Sequence, residues 1–425
     1  MIWLFALLFG MQVAAGPSGA APDTLTLAES HLLVEERFPT ADKEELQRRM
    51  TEINRRMAAS GAFPQVQAGA MASYQSDVTE VTFTPPGAEP PTFSRDHYRL
   101  SLELAQPIYA GGRISALQAV EEASGRRGAA SVRVELQQVR EQVSRVYFNA
   151  LMLQKEAESV RLLAGDLRQQ LRTVRARVRQ GVLLASQQYI LEAELVRARQ
   201  DSIRAASRLH GAREMLGELL GRELGTGTAL SVPPTEMSRA GLQDELRPEF
   251  GLYDASMALL DRRAELAGSR RTPSLSAFAT TAWGRPGLDA FDDDLQAWYV
   301  VGVRLRWNLW QAVNAGRERQ VLNLQRQQAE ADERAFERRL GGELATLRRE
   351  ILSLEEVVAS DEKLIRLSRQ IVEEHASRLE QGAITATEYL SALNRLNRAE
   401  LNRQVHRVEL ARAVSDYNTK LGAKP

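Results

Sequence analysis

Five histidines, His31, His97, His210, His375 and His406, are the imidazoles of this chain, and none stands at metal-ligand spacing from another. No glycine-rich phosphate loop follows a strand-like segment, and the plentiful Ser and Asp residues show no order that suggests acyl transfer. The run Asp292, Asp293, Asp294 offers oxygens to a divalent cation but lacks the spacing of a calcium loop, so it reads as a solvated loop. With no cysteine, disulfides, thiolate metal sites and a lipid-modified N-terminal cysteine are excluded. The residues therefore point to no enzyme, no cofactor and no resident metal. The charges worth following are Arg99, Glu103, Arg304 and Arg306, which alternate with apolar residues in short segments.

Those segments are strand-like. Tyr98, Leu100, Leu102 and Leu104 share one face of a strand, and Arg99, Ser101 and Glu103 the other, because successive side chains point to opposite sides. Tyr299, Val301, Val303, Leu305, Trp307 and Leu309 repeat the pattern against Gly302, Arg304, Arg306 and Asn308. Weaker alternation precedes each, in Val66, Ala68, Ala70, Ala72 and Tyr74, and in Leu275, Ala277, Ala279, Thr281 and Trp283. Each run is about 9 to 12 residues, enough for a tilted strand to cross a bilayer. Tyr74, Tyr98, Trp283, Trp298, Tyr299, Trp307 and Trp310 lie near the strand ends, where an interfacial aromatic belt would sit.

Between and beyond the strands lie helices. Proline is absent from about Ser115 to Gln180 and from about Arg317 to Gln381, and apolar residues recur at three and four: Val160, Leu163, Leu167, Leu171, Val174 and Val178, then Leu344, Leu347, Ile351, Leu354 and Val358. About 65 helical residues would extend roughly 100 Å and need bundling to persist. A returning helix carries a strict heptad, Leu191, Leu195, Ala198, Ser202, Ala205, Leu209, Ala212, Leu216 and Leu219. Leu25 to Ser60 and Leu242 to Ser269 read as helices entering the first strand of each half, and Gly221 to Pro234 as a hinge between halves. Strand, strand, long helix, glycine turn and returning helix thus occur twice, in residues 21–230 and 231–425.

Composition narrows the setting. The 425 residues are 26% charged with a formal net charge of zero, which argues against phosphate-backbone binding. Ile2 to Phe9 is apolar and small residues follow at Val13, Ala14, Ala15 and Ala20, so residues 1–20 read as a signal peptide, although no Lys or Arg precedes the apolar run. Elsewhere no apolar stretch reaches the about 18 residues of a membrane helix, so any crossing must use strands. Four strands cannot close a barrel, and an open edge in lipid costs several kcal/mol per unpaired backbone group. Two, three or four copies would supply eight, twelve or sixteen strands, and the arithmetic does not choose among them.

The stretch Gln106, Pro107, Ile108, Tyr109, Ala110, Gly111, Gly112, Arg113, the turns Gln180, Gly181, Val182, Leu183 and Gln381, Gly382, Ala383, Ile384, and the step Glu388, Tyr389, Leu390, Ser391, Ala392 together resemble the TolC family of bacterial outer-membrane efflux proteins over nearly the whole mature chain. The resemblance implies a mainly α fold with a transmembrane β portion: a homotrimer whose long coiled-coil helical barrel in the periplasm joins a 12-stranded β-barrel in the outer membrane, four strands per chain. It implies a conduit without enzymatic activity, whose partners are a periplasmic adaptor protein, an inner-membrane transporter and outer-membrane lipid. Tip turns for adaptor docking would be Gly181, Val182, Leu183, Gly382, Ala383 and Ile384, and the aperture gate Gln187 and Glu388. Arg99, Glu103, Arg304 and Arg306 would line the barrel lumen, and Pro107, Gly111 and Gly112 would form the strand-to-helix junction. Two departures stand out: the second junction, Trp307 to Arg317, lacks the proline and carries about three extra residues before Gly316, and Gln187, Gln188 and Glu388 replace the family's frequent tip aspartates.

Two functions follow as expectations. One is a channel of a tripartite efflux or type I secretion system that passively conducts substrates from an inner-membrane pump. The other is a secreted periplasmic coiled-coil adaptor or scaffold whose strands form a small soluble sheet. An adaptor has one helical hairpin between split domains, whereas this chain has two in tandem.

Overall fold

The computed structural model describes residues 24–78, 93–238, 247–289 and 292–422. The signal-peptide reading, the proline-rich part of the first strand loop and residues 242–246 lie outside them. Among the described residues the fold is mainly helical, at 71%. In order it runs β1 (Thr24–Leu25), α1 (Leu27–Arg37), α2 (Pro39–Ser60), β2 (Gln65–Tyr74), β3 (Asp96–Tyr109), α3 (Arg113–Arg179), α4 (Ala185–Leu220), β4 (Ala229–Leu230), α5 (Pro248–Ser269), β5 (Ser274–Arg285), β6 (Gln296–Arg306), α6 (Leu309–Glu380) and α7 (Ala386–Lys420). The duplicated order is matched in length: 67 and 72 residues in α3 and α6, 36 and 35 in α4 and α7.

These elements form two compact units, one within Met1–Phe38, Leu136–Leu246 and Gly341–Pro425, the other within Pro39–Glu135 and Arg247–Leu340. Each unit draws on both sequence repeats. The first is helical and has its core where Tyr147, Phe148 and Leu151 of α3 meet Leu216 and Leu220 of α4 and Val34 of α1, all at most 1% exposed. Further along the same hairpins Leu167, Leu171 and Val174 pack with Leu191, Leu195 and Ala198 and with Leu379, Tyr389, Leu390 and Leu393 of α6 and α7. The heptad of α4 is thus the buried seam, with Ser202 and Leu219 half-buried at its margins.

The second unit holds one sheet of order β2-β3-β5-β6, antiparallel throughout, with helices packed among themselves. Gly125 and Gly128 of α3 let α2 approach closely, since a Cβ on either would run into Thr51 or Gln47. Phe250 of α5 meets Phe336 of α6 edge to face at 5.3 Å between centroids.

Several boundaries differ from the sequence reading. Leu25 to Ser60 is not one helix. Pro39 forces extended backbone at Phe38, ending α1, and then itself opens α2. Strand β3 continues past Leu104 to Tyr109, so Gln106 and Pro107 are strand residues, and a bulge between Pro107 and Tyr109 absorbs the missing proline donor. Helix α6 starts at Leu309, eight residues before Arg317, so the apparent extra residues of the second junction, Gly316 included, are helical and Leu309 is not on a strand face. Trp310 is likewise helical, and Trp298 lies on the sheet face opposite Tyr299, so neither belongs to a strand-borne belt.

The Gly221 to Pro234 segment is held rather than free. Its β4 pairs in parallel with β1, and the Tyr147 hydroxyl lies 2.9 Å from the Leu25 carbonyl and 2.7 Å from that of Ser231. Gln154 accepts from the Leu230 amide and donates to its carbonyl, both at 3.0 Å.

Beside this core His31 is buried, its Nε2 2.8 Å from Ser144 Oγ. Burial first, and then the charge of Arg140, lowers its pKa to about 4. The folded protein therefore holds His31 neutral while the unfolded chain takes up a proton near the ordinary pKa. Stability is whole above about pH 6.5 and falls by up to about 3 kcal/mol as the pH drops towards 4, after which the loss levels off. Urea midpoints of the native protein and of His31→Asn, followed from pH 7.5 to 4, should converge by this amount as the native one loses its advantage. A constant difference between the two across that range would refute the assignment.

Candidate functional site

In the sheet, direct cross-strand partners share a face, and the register carries one apolar face through all four strands. Ala68, Leu102, Thr281 and Tyr299 form one such row; Val66, Leu104, Ala279 and Val301 form the next. These side chains have no cover: Leu102 is 47% exposed, Val303 69% and Tyr299 74%. Strand β2 is exposed at every one of its ten residues, on both faces. The sheet has two edges, β2 and β6, each with backbone groups that find no strand partner among the described residues.

The opposite face carries Arg99, Glu103, Arg304 and Arg306. Glu103 and Arg304 approach to 3.4 Å, and the Arg304 guanidinium sits 4.5 Å from the centroid of the Phe278 ring. Phe278, which parity reasoning on the first strands did not single out, also belongs to this face, as does Trp298, which the sequence reading placed in the aromatic belt. Alternation in the run from Ser274 onward would have shown Phe278 there.

At the junction from β3 to α3, Gly111 and Gly112 have φ of +62° and +76°, a conformation that side chains with a Cβ resist. The Gly111 carbonyl accepts from Thr272 Oγ1 at 3.2 Å, which ties this turn to the start of β5. Pro107 lies opposite Ser276 just before the bulge.

The far ends of the hairpins lie in the helical unit. Gly181 and Gly382 turn the chain with φ of +76° and +75°. Leu183 is buried with the hairpin core, while Val182 and Ala383 are exposed and Ile384 packs at the margin. Glu388 is a capping residue: its carboxylate accepts from the Thr385 amide at 2.8 Å, and Thr385 Oγ1 accepts from the Glu388 amide at 3.3 Å. These bonds hold its carboxyl below the usual carboxylate pKa. Gln187 links the two hairpins, its Oε1 accepting from the Ala386 amide at 2.5 Å. Arg177 to Glu380 at 3.9 Å and Asn394 to Glu194 at 3.4 Å also bridge them. These cross-links join residues about two hundred positions apart, and no sequence signal marks them.

Residues 35–222 match the family model described as outer membrane efflux protein. No curated protein matches the chain. Among solved structures, CusC, described in terms of transmembrane channel formation, superposes with a TM-score of 0.73 at 13% identity, over 93% of this chain and 92% of that one. The outer membrane protein VceC of Vibrio cholerae superposes with a TM-score of 0.68 at 15% identity, over 94% of this chain and 97% of that one. The MtrE outer membrane channel of Neisseria gonorrhoeae gives 0.69 at 15% identity, over 94% and 89%. The lead-in helix, the strand pair and the first helical hairpin carry the match to the outer membrane efflux protein model, and the second set of elements completes a fold shared with these channels.

Proposed function

We propose that three copies of this chain close a 12-stranded β-barrel in the outer membrane, continue it as a helical tunnel in the periplasm, and conduct substrates passively from an inner-membrane transporter. The observation that supports this most directly is the open four-stranded sheet with one uncovered apolar face. Such a sheet is stable in lipid only if its edges pair, and identical copies supply complementary edges. In this reading each chain contributes the repeats 21–230 and 231–425, Arg99, Glu103, Arg304 and Arg306 face the lumen, and Gln187 and Glu388 lie at the aperture.

The test is the mass and heat-sensitive gel mobility of the protein extracted from outer membranes in mild detergent. A complex of about three chain masses supports the closure number. Recovery as a soluble monomer from the periplasm would overturn the reading in favour of an adaptor or scaffold.

The tip turns Gly181, Val182, Leu183 and Gly382, Ala383, Ile384 are the adaptor-docking surface in this reading. A Cβ at Gly181 meets nothing within 4 Å, and one at Gly382 meets the Leu183 side chain and the Val182 carbonyl at 3.7 Å, ordinary van der Waals contact, so both sites have room for a side chain. Asn and Asp tolerate the left-handed conformation better than other residues. Gly181→Asp with Gly382→Asp should leave oligomers intact yet cut substrate export by about tenfold or more, equivalent to about 1.4 kcal/mol of docking. The paired Asn variants should export normally. Normal export by the Asp variant would remove the turns from the docking surface.

A further inference from the structure

We propose that the inner face of the strand sheet favours anionic solutes over cations, an inference that rests on the channel reading above. This face carries three arginines, Arg99, Arg304 and Arg306, and a single carboxylate, Glu103. That carboxylate is already engaged, because Arg304 approaches it to 3.4 Å while stacking on Phe278. Arg99 and Arg306 are exposed and have no ion-pair partner among the described residues. They lie at the two ends of β5, Arg99 opposite Gly284 and Arg306 opposite Ser274, so uncompensated positive charge stands at both ends of the strand face. Two neighbouring loop acids are engaged by backbone amides: Asp292 accepts from the Asp294 amide of its own loop at 3.0 Å, and Asp293 from the Ser94 amide of the β2–β3 loop at 3.2 Å.

A lumen lined by one sign of charge between low-dielectric walls concentrates ions of the other sign, and each further copy of the chain repeats the excess. The solutes it suits are small anions and amphiphiles with a carboxylate, sulfonate or phosphate group, for which a planar guanidinium is a bidentate donor. The aromatic rings of Phe278 and Trp298 on the same face suit their apolar portions.

The experiment measures the zero-current potential of the purified full-length protein in planar bilayers across a dilute KCl gradient. R99Q/R306Q should shift the chloride-to-potassium permeability ratio towards potassium by about threefold or more at low salt, where screening is weak. E103Q should move it towards chloride. Circular dichroism and heat-sensitive mobility confirm that the variants fold and assemble. Conductance with a ratio unmoved by R99Q/R306Q, or moved towards chloride, overturns this inference and leaves the channel reading standing. Assembled, inserted protein without conductance overturns the channel reading and this inference with it.

Discussion

Leu102→Arg or Val303→Arg should abolish insertion of the assembled protein into outer membranes, while Ser101→Arg leaves assembly measurable. Leu102 and Val303 lie on the continuous apolar face, exposed to nothing in the chain, and Ser101 lies one residue away on the opposite face. A guanidinium on a lipid-facing strand position costs about 2 to 4 kcal/mol near the midplane and little near the interfaces. In an assembly of identical chains that cost recurs in every copy, so a single substitution becomes prohibitive. Gly302 is unsuitable as the matched inner-face site, because a Cβ there would press on the Phe278 ring at 3.1 Å. Heat-sensitive mobility of membrane extracts measures the outcome. Equal assembly of the Leu102 and Ser101 variants would remove the assignment of faces.

The second large effect is expected at the strand-to-helix turn. Gly111→Ala should lower stability by about 2 to 5 kcal/mol, combining about 1 to 2 for a left-handed alanine with about 1 to 3 for overpacking. The overpacking arises because the new Cβ would run into the Thr272 side chain, whose own Cβ would be 2.9 Å away. Gly112→Ala shares the positive φ but meets nothing within 4 Å, so it should show only the conformational part, about 1 to 2 kcal/mol. Thr272→Gly in the Gly111→Ala background should recover the steric part and leave the conformational one, at the expense of the hydrogen bonds Thr272 makes to Gly111 and Ser269. Denaturation of the detergent-solubilised protein distinguishes the terms. Equal losses at Gly111 and Gly112 would show that the Thr272 contact does not matter.

The two experiments probe different links. Charges on the apolar face report on how the sheet meets its surroundings, whereas Gly111 reports on how β3 is joined to α3 beside the start of β5. The latter turn is where strand geometry must become helix geometry within three residues, Ala110 to Gly112, and two glycines with positive φ allow it. The second copy, from β6 to α6, makes the same transition through Trp307 and Asn308 with no glycine: Asn308 Oδ1 accepts from the Gln311 amide at 3.0 Å and opens the helix.

The amino-acid sequence by itself determined whatever has a local period. Which residues of each strand share a face, where the long helices run, the α4 seam and the glycine turns all followed from spacings of two, three, four or seven residues, because those patterns reflect backbone geometry within one element. Helix starts were less legible where a cap replaces a glycine, as at Asn308, or where a proline both ends one helix and opens the next, as at Pro39. Tertiary structure alone decided what joins distant parts of the chain. It placed β3 beside β5, and paired β1 with β4 under the Tyr147 hydroxyl. It set Arg304 between Glu103 and Phe278, and made Gln187 a cap for α7 rather than a free side chain. Such contacts are selected by the packing of whole elements, with 201 residues separating Glu103 from Arg304, and a sequence spacing that long leaves no periodic trace.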